Sequence, residues 1–165
     1  MNKKMYKKLL CFLSAMLVMF GLMLYRSEND NDKDFAKLKL EQGQTAHYVV
    51  DLGKEGSLKY LLEPNIYTVY FRLQPKDKPE KLSCTSEGLH MMLSQSSKKG
   101  VWVELKPQQN LRMDKGSLPL NVELYVPRED VKRYHVGEGK LKLYTGDKVY
   151  ATLVLEVVNS RYQAL

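Results

Sequence analysis

Leu141-Lys142-Leu143-Tyr144-Thr145-Gly146-Asp147-Lys148-Val149-Tyr150-Ala151-Thr152-Leu153-Val154-Leu155-Glu156-Val157 carries two apolar alternations joined by a turn signal. Leu141 and Leu143 alternate with Lys140, Lys142 and Tyr144, and Val149, Ala151, Leu153, Leu155 and Val157 share one parity beyond the turn. A period of two is the strand period, because successive side chains of a strand point to opposite faces. Thr145-Gly146-Asp147-Lys148 reads as the tight connection of a hairpin, with Gly146 free to take the positive φ that such turns demand.

The same period recurs upstream. Leu118, Leu120, Val122, Leu124 and Val126 alternate with Pro119, Asn121, Glu123 and Tyr125 until Pro127 stops the pattern. Ala46, Tyr48, Val50 and Leu52 form another alternation, closed by Gly53-Lys54-Glu55-Gly56, and Leu58, Tyr60 and Leu62 form a short one ending at Pro64-Asn65. Tyr67, Val69, Phe71 and Leu73 follow, before the charged loop from Pro75 to Glu80, where closely spaced prolines cannot donate to a ladder. Leu89, Met91 and Leu93, then Val101, Val103 and Leu105, complete the series. Arg128 to Tyr134 has room for one helical turn, with Val131 and Tyr134 on one side, and Gly137-Glu138-Gly139-Lys140 reads as a turn. Outside residues 9–25 no apolar run of helical period is long enough for a helix, which excludes Rossmann-like and α/β-barrel folds. The expectation is an all-β domain: an antiparallel β-sandwich of about eight strands, immunoglobulin-like or fibronectin III-like in architecture alone, preceded by one N-terminal transmembrane helix.

That helix is read from residues 1–26. Lys3, Lys4, Lys7 and Lys8 precede Leu9–Tyr25, 17 residues without a charge. As a helix the run spans roughly 25 Å, near the lower limit for a bilayer core, with Lys8 and Arg26 placed to snorkel. The end of the run, Phe20-Gly21-Leu22-Met23-Leu24-Tyr25, offers no pair of small residues for signal cleavage, and Cys11 sits too early for lipoprotein processing. An uncleaved signal anchor is expected, with a secreted domain after cleavage as the alternative. The lysine cluster ahead of the run orients it with the N-terminus in the cytoplasm. The chain thus divides into a basic stub (1–8), the bilayer span (9–25), a polar stalk (26–44) and an extracytoplasmic domain (45–165).

Composition agrees with a folded exported domain. The 165 residues are 44% apolar, and two cysteines are too few for a disulfide scaffold. The net charge is +7, yet residues 36–165 hold 20 Lys and Arg against 15 Asp and Glu, the ordinary balance of a lysine-rich domain. Export, together with so mild a charge, argues against a nucleic-acid partner. Cys84, between Ser83 and Thr85 in an apparent loop, is expected to be a buried small residue. His47, His90 and His135 are far apart with no HExxH or CxxC pattern, so no metal site is expected. Asp30, Asp32, Asp34 and Glu41 fall at calcium-loop positions, but Phe35 occupies the position that needs glycine. No nucleophile motif or cofactor loop occurs, and the chain is read as a non-enzyme without cofactor.

What remains is aromatic. If the aliphatic parity marks the core, Tyr70, Trp102, Tyr125, Tyr144 and Tyr150 point outward, with Arg72 at the rim. Such a face suits a protein partner, or a glycan stacked on the rings. The chain is therefore expected to be a membrane-anchored adaptor of the cell envelope whose partner is another envelope protein or a polysaccharide.

Overall fold

The computed structural model describes residues 35–54, 66–96 and 101–164, and among these Ala36 onward forms nine strands in two sheets. The apolar run 9–25, residues 26–34 of the stalk and the short strand expected over 58–62 lie outside the described residues. One sheet has the order β1-β3-β7-β5-β6, built from Ala36–Leu40, Ile66–Pro75, Leu118–Tyr125, Met91–Ser96 and Trp102–Glu104. The other has the order β2-β9-β8-β4, built from Thr45–Asp51, Lys148–Val158, His135–Thr145 and Ser83–Gly88.

Period-two alternation accounts for the packing. On β3, Tyr67, Val69, Phe71 and Leu73 are buried while Thr68, Tyr70 and Arg72 are half-buried. Leu118, Leu120, Val122 and Leu124 of β7 join them from the same sheet, and Leu141, Leu143, Leu153, Leu155 and Val157 face them from β8 and β9. The Tyr48 ring meets Phe71 edge-on at 5.1 Å, which ties β2 of one sheet to β3 of the other. Each such aliphatic or aromatic side chain removed from water contributes about 1.5–3 kcal/mol. The sandwich therefore coheres through apolar burial.

Several expectations are corrected. The sheets are mixed: β1 runs parallel to β3 and β2 parallel to β9, although the remaining pairings are antiparallel. β1 occupies Ala36–Leu40, inside the stretch read as stalk, because Leu38 and Leu40 pair with Leu73 and Pro75 and bring apolar side chains to the core. Cys84 lies on a strand, β4, paired with Leu143 of β8. Gly137-Glu138-Gly139 is part of β8, where Gly139 faces Gly88 across the ladder. Val101 and Val103 are not core: they are 60% and 50% exposed, because β6 is the outermost strand of its sheet.

Tyr150 is the sharpest departure. It is 3% exposed, while Val149 beside it is 49% exposed. Leu143 pairs with Ala151 and Tyr144 with Val149, so Tyr150 is the extra residue of a bulge. A bulge interrupts the strict in–out alternation, and here it turns the phenol inward. Its hydroxyl donates to the Leu40 carbonyl at 3.5 Å, beneath the corner where the chain passes from β1 to β2. At that corner Gly43 N donates to the Tyr150 carbonyl at 2.7 Å.

Candidate functional site

Tyr70, Arg72, Trp102 and Tyr125 all belong to the five-stranded sheet and, by parity, to its outer face. Tyr70 of β3 lies opposite Asn121 of β7, which lies opposite Ser94 of β5, which lies opposite Glu104 of β6. The neighbouring rung runs from Thr68 through Glu123 to Met92. Trp102 pairs with Ser96, and Arg72 with Pro119.

The Tyr70 and Trp102 rings come within 5.6 Å, tilted by 52°. Strands β7 and β5 separate them, and Trp102 sits one rung along, opposite Ser96; the short side chains of Asn121 and Ser94 on the Tyr70 rung, and of Ser96 on the Trp102 rung, leave room for the rings to lean together. Beneath, Asn121 Nδ2 donates to Ser94 Oγ at 3.1 Å. Asn121 Oδ1 and Thr68 Oγ1 are buried with no hydrogen-bond partner among the described residues. A buried, unsatisfied acceptor costs about 1–3 kcal/mol, a cost the sheet bears beneath its aromatic rings.

At the far end of the face Tyr125 OH donates to Glu123 Oε2 at 3.2 Å, and the Tyr125 ring stacks on His90 at 4.8 Å. Glu123 is only 7% exposed. Arg72 Nη1 stands 3.8 Å from Asp114 Oδ2, an ion pair open enough to be exchanged for another carboxylate. At the sheet edge Val103, paired with Gln95, projects from the side of β6 opposite to Trp102 and is exposed there, as is Val101. The face thus combines half-buried aromatic rings and a guanidinium, beside the open edge of β6.

The other two residues of the expected platform are elsewhere. Tyr144 is on β8 of the four-stranded sheet, half-buried beside a depression of about 190 Å³ that Ser83 and Asp147 also line. Tyr150 is core and unavailable to a partner. Glu123 reads from the sequence as an outward acid, but Thr68, Ser94 and Asn121 of the face do not stand out, because isolated Ser, Thr and Asn on a strand carry no signal until register brings them together.

Cys84 is buried, with Sγ donating weakly to the Thr85 carbonyl at 3.7 Å. Burial pushes its thiol up to about 12, so it stays protonated at neutral pH. Among the described residues no group of three or more His, Cys, Asp or Glu side chains is close enough to hold a metal ion, and no helix is long and apolar enough to cross a membrane.

No protein-family model matches the chain, and no curated protein matches it. Among solved structures it is similar to the CupB6 tip adhesin from Pseudomonas aeruginosa, at a TM-score of 0.38 and 11% identity over 76% of this chain. The chain spans 44% of the length of that structure.

Proposed function

We propose that this protein is a non-enzymatic binding component of the cell envelope, held to the membrane by residues 9–25, and that it docks another envelope protein on the outer face of the β1-β3-β7-β5-β6 sheet. The observation that carries this reading is the gathering of Tyr70, Arg72, Trp102 and Tyr125 on that one face, beside the β6 edge where Val103 is exposed. Aromatic rings and an arginine gathered on one face are the composition of an interface hot spot. The edge of β6 adds backbone groups to which an extended partner segment can pair. A 52° tilt between Tyr70 and Trp102 forms a wedge and not a flat sugar platform, which favours a protein over a polysaccharide.

The test is photo-crosslinking in intact cells, with the probe at Val103 and, as a control, at the exposed Lys140 of the other sheet. A discrete adduct is expected from Val103 alone, reduced about 30-fold or more in affinity by Trp102→Ala, the loss of a hot-spot side chain of ~2 kcal/mol. Equal adducts from both positions, or an adduct indifferent to both Trp102→Ala and Tyr70→Ala in folded protein, would overturn the proposal.

A further inference from the structure

At the end of β1 and β3, away from the aromatic rings, lies a cleft of about 440 Å³. Lys39, Lys76 and Lys78 line it, with Glu41, Gln74 and Gly116. Three ammonium groups face one carboxylate, and that carboxylate is already taken: Lys76 Nζ is 3.0 Å from Glu41 Oε1. The nearby Asp77, whose charge also acts on Lys76, does not line the cleft. Lys39 and Lys78 have no ion-pair partner among the described residues. Gln74, opposite Lys39 in the β1–β3 ladder, adds an amide donor between strand and turn.

The backbone around the cleft gives a second, independent indication. Lys78 has φ 43°, and across the cleft Lys115 has φ 46° ahead of Gly116 at φ 80°. The left-handed region is one that side chains with a Cβ seldom occupy, and non-glycine residues held there cluster at functional sites. Lysine at position 78 is a poor choice for the turn and a good one for the cleft, where its charge is unspent. Lysines bind phosphate as compact point charges, and a volume of this order accommodates more than a bare ion.

We propose that this cleft binds the phosphate group of a small phosphorylated ligand, with Lys39 and Lys78 supplying the charge and Gln74 a hydrogen bond. The ligand is either a soluble phosphomonoester or the headgroup of phosphatidic acid; both present the same terminal phosphate. The cleft lies on the same outer face, one rung beyond Arg72, but none of its lining residues belongs to the aromatic cluster.

The experiment is a titration of the full chain in neutral detergent, followed by amide NMR at constant ionic strength, with inorganic phosphate, glycerol 1-phosphate and dioctanoyl phosphatidic acid as probes and chloride as the reference. Saturable shifts are expected at the Lys39, Gln74, Lys78 and Gly116 amides, with half-saturation at roughly 1–10 mM for phosphate and tighter for at least one ester. Tighter binding of glycerol 1-phosphate identifies a soluble ester as the ligand; tighter binding of the lipid identifies a headgroup. Lys39→Gln and Lys78→Gln together should weaken binding at least tenfold, whereas Lys140→Gln on the other sheet should not. Lys78→Gly is the decisive variant: it should unfold at a higher temperature, the turn being relieved, and still bind at least tenfold more weakly. Shifts that fail to saturate, that match those from chloride, or that survive Lys78→Gly overturn the proposal, and leave the crosslinking result at Val103 untouched.

Discussion

One carboxylate oxygen of Asp51, Oδ1, accepts from the Gly53 and Ser160 backbone amides at 3.0 Å each, and Oδ2 stands 3.6 Å from the Lys54 ammonium. The contact pins the C-terminal turn, Ser160–Tyr162, to the end of β2. The Ser160 amide, with smaller help from the Ser160 hydroxyl, Gly53 and Lys54, holds the Asp51 carboxyl below its ordinary value of 3.8, although burial opposes it. A depressed folded value means that the unfolded chain binds the proton more tightly. The stabilisation is thus complete above the unfolded value near pH 4, and is lost as pH falls through the lower, folded one. Asp51→Asn keeps the shape and removes the charge; it should cost about 1 kcal/mol at pH 7, the scale of charge-assisted hydrogen bonds on a mostly buried group. Urea midpoints measured from pH 7 to pH 2.5 should converge for the two proteins as the pH drops below 4. Curves that stay parallel would show that the carboxylate charge contributes nothing. None of this was visible in the sequence, where Asp51 is one more polar residue on a strand; its partner is 109 positions away.

The crossing of β4 into β5 shows how neighbouring elements constrain one another. The chain leaves the four-stranded sheet at Gly88 and enters the other at Met91, passing over the glycine-containing start of β8. Gly88 has φ 85°, and a Cβ there would lie 2.5 Å from the Glu138 carbonyl oxygen, a backbone atom that cannot swing away. A Cβ on Gly139 would instead meet the Met91 methyl at 2.8 Å, the free end of a flexible side chain. Gly88→Ala should therefore destabilise by about 2–4 kcal/mol, combining left-handed strain with a backbone clash, and Gly139→Ala by less than about 1.5 kcal/mol. Thermal unfolding of both variants checks the order; a reversed or equal ranking would mean that the crossing is not the rigid point. Period-two reading found β3, β7 and the β8–β9 hairpin because each carries four or more apolar residues of one parity. It missed β4, since Ser83-Cys84-Thr85-Ser86-Glu87-Gly88 brings a single buried residue and owes its place to pairing with β8. It misplaced Tyr150 because a bulge leaves no mark in the pattern, and it kept Tyr70, Arg72, Trp102 and Tyr125 together because β3, β7 and β6, and β5 between the last two, pair without one.

For the molecule entire, the proposed docking face gains its force from the proposed anchor. A partner in the same membrane meets a tethered domain at an effective concentration on the order of millimolar, so an interface of modest intrinsic affinity is nearly saturated. That suits the face as built: its aromatic rings are half-buried, its β6 edge is only three residues long, and Arg72 must exchange Asp114 for a partner's acid. Two measurements follow from the same chain. The mature protein should retain residues 1–26, recovered as peptides by mass spectrometry, and a C-terminal alkaline phosphatase fusion should be active, as it is only outside the cytoplasm. Replacing residues 1–26 with a cleavable export signal should then leave the domain folded and exported, yet cut the Val103 adduct by about 100-fold, the gain that tethering ordinarily provides. A mature N-terminus beyond Arg26, or a silent fusion, would remove the anchor. An undiminished adduct from the released domain would show instead that the face binds tightly by itself, and that the membrane serves only to place it.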